Sequence, residues 1–243
     1  MELLVLFVSI AAGSVAAIAG FGIGSLITPV FALHYPLKVA VAAVAIPHIA
    51  ATATRLWLMR EHVDRKLLIR FGFASAVGGL IGAFLYSAAG NPVLTAIFGA
   101  ALMLTALLEL TGAARRVKLR GPWAWIAGTA SGLLGGMVGN QGGIRSAALL
   151  GFETTRQSFV ATATAVALLV DLARLPVYVS GQYQTLMTMA GVIGWATAGA
   201  LIGTFIGKRV LDVIPERVFR PSVSVLILSL GAYMLWVGIR GMF

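Results

Sequence analysis

Apolar stretches separated by short polar segments, most of them basic, run the length of the chain. Six stretches, near 38–59, 67–87, 92–111, 157–179, 185–207 and 219–239, each hold about 20 residues. A helix rising about 1.5 Å per residue would cross a hydrocarbon core of about 30 Å in that length. Two others, 3–33 and 123–152, are too long for one straight crossing, and glycines interrupt both. The first carries Gly20-Phe21-Gly22-Ile23-Gly24 and the second Gly139-Asn140-Gln141-Gly142-Gly143. Glycine frees the backbone to leave the helix, and polar Asn140 and Gln141 at such a break are unsuited to lipid. Short helices are expected to restart after the breaks, over 25–33 and 144–152. Residues 1–13 lack the basic start of a signal peptide, carry only Glu2 as charge and run into the first break, so they read as structure.

The breaks are related. A shift of 119 positions places Gly13 on Gly132, Gly20 on Gly139, Gly24 on Gly143, Val41-Ala42 on Val160-Ala161 and Arg55-Leu56 on Arg174-Leu175. A shift of 121 places Leu80-Ile81-Gly82 on Leu201-Ile202-Gly203 and Phe84 on Phe205. Matches among Gly, Ala and Leu are weak singly, but their common spacing and the paired arginines indicate an internal duplication.

Composition sets the solvent. Hydrophobic residues make up 59% of the 243 and charged residues only 11%, with mean hydropathy +0.96, against about 25% charged in soluble domains. The polar shell of a soluble fold cannot be built from such a chain, which reads as an integral membrane protein. With no cysteine, thiol nucleophiles, thiolate metal sites and disulfides are excluded. The net charge of +10 is carried by short loops between apolar runs, the pattern of membrane orientation rather than nucleic-acid binding.

Loop charge then orients the halves. If each broken stretch crossed fully, the basic loop 208–220 would face outside. If each is a re-entrant hairpin, basic loops 60–70, 112–121 and 208–220 share the cytoplasmic side, and the uncharged turn 180–184 lies outside, as the positive-inside rule favours. A steeply tilted first arm is then required, since the residues before Gly20 are long enough to cross alone. Three crossings per half leave the second half inserted upside down. The expected fold is therefore an all-α polytopic membrane protein of two inverted repeats, each a broken re-entrant hairpin helix plus three transmembrane helices. The first repeat is 1–111, with hairpin 3–33 and spans 38–59, 67–87 and 92–111. A basic cytoplasmic linker, 112–121, leads to the second repeat, 122–243, with hairpin 123–152 and spans 157–179, 185–207 and 219–239.

A helix that begins within the membrane points free N–H groups and partial positive charge at whatever precedes it. Two such ends brought together would form an anion site near the midplane. The expected substrate-binding residues are Gly22, Gly24, Ser25, Thr28, Asn140, Gln141, Gly142, Gly143, Arg145 and Ser146. Arg145 is the sharpest signal, because a charge at a membrane break is costly without a partner or ligand. The bland alternative pairs it with a carboxylate such as Asp171. Arg55 and Arg174 lie near span ends, where snorkelling to the interface is the favoured reading, while their matched positions keep gating or substrate guidance open. Asp171, three residues before Arg174, is expected to form a local ion pair, with proton carriage as the alternative. His48 follows Pro47 at an expected kink and reads first as a hydrogen-bonded structural residue, second as a proton relay. His34 and His62 read as loop residues. The stripes Gly78/Gly79–Gly82–Ala83 and Gly199–Gly203–Gly207 read as helix packing, and Trp57, Trp123, Trp125 and Trp236 as interface anchors.

H-E-x-x-H, G-x-S-x-G and P-loop motifs are absent, so no enzyme, metal site or cofactor is expected. The run Gly20-Phe21-Gly22-Ile23-Gly24-Ser25-Leu26-Ile27-Thr28-Pro29 and its copy Gly139-Asn140-Gln141-Gly142-Gly143-Ile144-Arg145-Ser146 resemble the TauE/SafE sulfite-exporter-like permease family, whose duplicated organisation covers nearly the whole chain. The resemblance implies movement of small sulfur-containing or carboxylate anions, such as sulfite or organosulfonates, across the cytoplasmic membrane. The chain departs from the family's glycine triplet in both copies, and Ala148 replaces the equivalent of Pro29. The expected function is a secondary transporter working by alternating access. The alternatives are an aquaporin-like channel of two re-entrant hairpins, without the Asn-Pro-Ala signature, and an intramembrane enzyme, for which no nucleophile–base pair is found. Expected partners are a small anionic substrate, the lipid bilayer and a coupling proton, with a homo-oligomer left open and no nucleic acid.

Overall fold

A computed structural model describes residues 2–19, 22–113, 122–139, 142, 145, 149, 152, 155–213 and 216–242, without the side chains of 18, 19, 124, 156, 208–213 and 216–220. The described residues are helical throughout, joined by short turns. In the first half, α1 (Glu2–Ala19) and α2 (Ile23–Ala32) flank the first break. They are followed by α3 (Leu37–Met59), α4 (Arg65–Ala88) and α5 (Asn91–Leu110). In the second half, α6 (Pro122–Val138) precedes the second break, and α7 (Arg156–Thr188), α8 (Ala190–Val213) and α9 (Glu216–Arg240) follow it. Among the described residues, six helices are long and apolar enough to cross a membrane: α3, α4, α5, α7, α8 and α9. The chain is an all-helical membrane protein.

Two boundaries differ from the sequence reading by a turn or more. The loop expected at 208–220 is largely taken up by helix, since α8 runs to Val213 and α9 begins at Glu216. The turn expected at 180–184 is inside α7, which runs on to Thr188 and ends at Met189. A glycine costs a helix about 1 kcal/mol but does not break it, and the Ser180 hydroxyl is satisfied within the helix by the Val177 carbonyl at 3.1 Å. At 33 residues, α7 is about 50 Å long, well beyond the hydrocarbon core.

The halves interlock. Helix α1 packs chiefly on α8 of the other half, and α6 packs chiefly on α4 of the first. Helix α3 lies against α8 and α7 against α4, while α3 packs on α7 and α5 on α9. Exchanging α1 with α6, α3 with α7, α4 with α8 and α5 with α9 maps this pattern onto itself. Small residues permit the closest approaches, as the glycine stripes suggested: a methyl group on Gly82 would overlap the Leu133 backbone, and one on Gly203 the Ile10 backbone. Gly99 and Gly231 bring α5 and α9 together in the same way. Trp57, Trp123, Trp125 and Trp236 are exposed, with Arg60 and Arg240 stacked on Trp57 and Trp236 at 4.2 Å.

Candidate functional site

The apolar faces of α3 and α7 meet in the core, and each carries a row of polar residues at helical spacing: His48, Thr52 and Arg55 on α3, Asp171, Arg174 and Tyr178 on α7. Asp171 is fully buried and engaged on both oxygens. His48 Nδ1 lies 2.6 Å from Oδ2, and Arg174 Nη2 lies 2.7 Å from Oδ1. The ion pair expected between Asp171 and Arg174 is present, and His48 joins it. Thr52 Oγ1 is 3.5 Å from His48 Nδ1.

Arg55 and Arg174 do not snorkel. They are 6% and 2% exposed, because each guanidinium is drawn inward by the end of a broken helix. Arg55 Nη1 donates to the Ala16 carbonyl at 2.6 Å, and Arg174 Nη1 donates to the Gly135 carbonyl at 2.6 Å. These carbonyls lie in the last turns of α1 and α6, where the helix dipole favours cations; that of Gly135 also accepts from the Gly139 N–H at 2.9 Å. The second contact is the first moved along the chain by 119 positions. Arg55 Nε also donates to Thr164 Oγ1 at 3.1 Å. On α7, the Tyr178 hydroxyl donates to the Gly136 carbonyl and its ring packs against Tyr86, tilted by 43° with centroids 4.3 Å apart.

The breaks come together beside this cluster. Gly22 takes φ +131° and Gly139 φ +76°, conformations that side chains other than glycine's disfavour. A methyl group on Gly24 would stand 2.7 Å from the Gly139 carbonyl oxygen, and one on Gly139 would stand 3.2 Å from Arg174 Nη1. Ser25 and Thr28 are buried in α2, and Gly142 is buried past the second break. Asn140, Gln141, Gly143 and Ser146, proposed from the sequence as ligands, lie outside the described residues, as does Gly20 of the motif.

Arg145 is helical and 3% exposed, and its Nε and Nη1 have no hydrogen-bond partner among the described residues. It lies within coulombic reach of Arg55 and Asp171. Asp171 Oδ2 meets His48, and Oδ1 meets Arg174 as an ion pair without a hydrogen bond; Arg145 Nε and Nη1 bond to neither oxygen, unlike the expected alternative of an Arg145–Asp171 pair. His34 and His62 are exposed in turns. Thr52, Thr164 and Tyr178 escaped the sequence reading, although Tyr178 follows Arg174 by one turn and Thr52 follows His48 by one turn.

The sulfite exporter TauE/SafE family model matches residues 5–234, a stretch that holds both breaks, the α3–α7 cluster and Arg145. The chain belongs to the TauE/SafE family. Members of this family are membrane transporters of the sulfite exporter type, and the six apolar helices fit that description. No curated protein and no solved structure matches the chain. For a TauE/SafE protein, the arrangement offers a buried cationic centre framed by two broken helices, with one carboxylate held between a histidine and an arginine.

Proposed function

We propose that this protein is a secondary transporter that moves a small anion, sulfite, an organosulfonate or a related sulfur-containing or carboxylate anion, across the cytoplasmic membrane by alternating access. The observation that carries the reading is Arg145: a buried guanidinium with two donor nitrogens unpaired among the described residues, within coulombic reach of Arg55 and Asp171. Burying an ion costs several kcal/mol, a cost that a polar ligand offsets. Arg55 and Arg174 hold the ends of α1 and α6 in place, so that the breaks present backbone N–H groups to the anion alongside Arg145.

In this reading the halves are inverted repeats, with basic loops 60–70, 112–121 and 208–220 in the cytoplasm. Because α1 packs on α8 and α6 on α4, a rocking of the α1–α8 unit against the α4–α6 unit would turn the paired breaks from one membrane face to the other. His48 and Asp171, 2.6 Å apart in the core, form the coupling element of this reading.

The test is sulfite uptake into proteoliposomes, comparing wild type with Arg145→Gln, with and without an imposed pH gradient. Saturable uptake driven by the gradient and lost in the variant is the expected outcome. Non-saturating flux that ignores the gradient would assign the protein to channels, and unchanged uptake in Arg145→Gln would remove that residue from the site.

A further inference from the structure

The charges in the core do not balance. Arg55, Arg145, Arg174 and Asp171 share one buried region, with the Asp171 carboxylate in coulombic reach of all three guanidiniums. Among the described residues, three guanidiniums against one carboxylate leave an excess of two positive charges, before any charge on His48 is counted. The cost of a buried net charge in a medium of low dielectric grows with the square of that charge. A bound monoanion therefore leaves an excess of one, and a dianion leaves none.

The donors of the three arginines are not equally committed. Arg55 is spent on the Ala16 carbonyl and Thr164, and Arg174 on the Gly135 carbonyl and Asp171, with only its Nε left unpartnered. Arg145 alone of the three carries two unpartnered donors of the kind that charge-assisted bonds to an oxyanion use. Its removal would lower the excess charge from two to one without breaking a hydrogen bond at either of those nitrogens.

We propose that Arg145 sets the valence of the transported anion, so that the site takes small dianionic oxyanions in preference to monoanions of similar size. The inference rests on the anion-carrier reading above. The experiment is a thermal unfolding titration of the purified full-length protein in detergent, at fixed ionic strength and a pH where sulfite is fully ionised. Sulfite, sulfate and thiosulfate are the dianions, methanesulfonate and acetate the monoanions. The dianions should raise the unfolding midpoint of the wild type at concentrations about tenfold lower than the monoanions require. Arg145→Gln should abolish or reverse that preference, and Arg145→Lys, which keeps the charge, should retain it.

Equal stabilisation of wild type by both classes would overturn the proposal, as would a parallel weakening of both classes in Arg145→Gln. If neither variant folds, the wild-type panel still decides whether the site prefers dianions. The two readings fail differently. Dianion-selective binding without flux in proteoliposomes would overturn transport and leave the valence assignment standing. Saturable flux that favours monoanions would do the reverse.

Discussion

Replacing Asp171 by Asn tests the electrostatic core most directly. The carboxylate is fully buried and meets His48 at 2.6 Å and Arg174 at 2.7 Å. Asn can still accept a hydrogen bond from one of these neighbours, so the substitution mainly removes the negative charge. At the protein surface such a pair contributes about 0–1 kcal/mol. Here Arg174 is 2% exposed and cannot turn to water, and breaking a buried pair costs about 3–5 kcal/mol because the surviving charge stays uncompensated. We expect Asp171→Asn to lower stability by about 3 kcal/mol or more, read from tryptophan fluorescence during equilibrium unfolding in mixed micelles. Arg174→Gln in the same background should cost much less than it does in the wild type, a coupling of about 1 kcal/mol or more. A loss below about 1 kcal/mol for Asp171→Asn, with additive effects in the double variant, would refute the view that this pair is sealed from water.

Other substitutions separate the roles of the remaining parts. Arg174→Gln should destabilise more than Arg55→Gln in the same unfolding assay, since both release a helix-end carbonyl but only the former strands Asp171. Gly82→Ala should destabilise by about 1–3 kcal/mol through overpacking against α6. Gly181→Ala, with nothing within 4 Å of the new methyl in the interior of α7, should stabilise by about 0.5–1 kcal/mol. Tyr178→Phe leaves the Gly136 carbonyl without its hydroxyl donor and should cost about 1–2 kcal/mol, while the tilted ring contact with Tyr86 is kept.

The spans were legible because the bilayer core asks for one thing, apolar length, and the sequence displays it in uninterrupted runs. The breaks were legible for the converse reason: Gly22 and Gly139 need backbone freedom that other residues lack. Less visible were the ends and the partners. The 180–184 segment resembles a loop in composition, yet local hydrogen bonding keeps it helical to Thr188. Arg55 and Arg174 resemble interface residues when judged by position within a span. Their burial depends on the carbonyls of Ala16 and Gly135, which come from other helices and have no signature in side-chain chemistry. The duplicated arginines were the available clue, since matched charges inside two apolar spans have no reason to recur unless they meet equivalent surroundings.

The crossed packing of α1 on α8 also bears on how the chain is made. Ser14 of α1 donates to the carbonyl of Gly203, 189 residues further on. At about 5–20 residues per second, a ribosome needs roughly ten to forty seconds to produce that partner. During this interval the first helix waits in the membrane with the face that will meet the α8 glycines turned to lipid or a chaperone. A nascent chain released before α8 emerges would therefore leave α1 without its principal neighbour. The first half cannot serve as a finished template for the second, and fragments 1–113 and 122–243 should accumulate only when they are synthesised together.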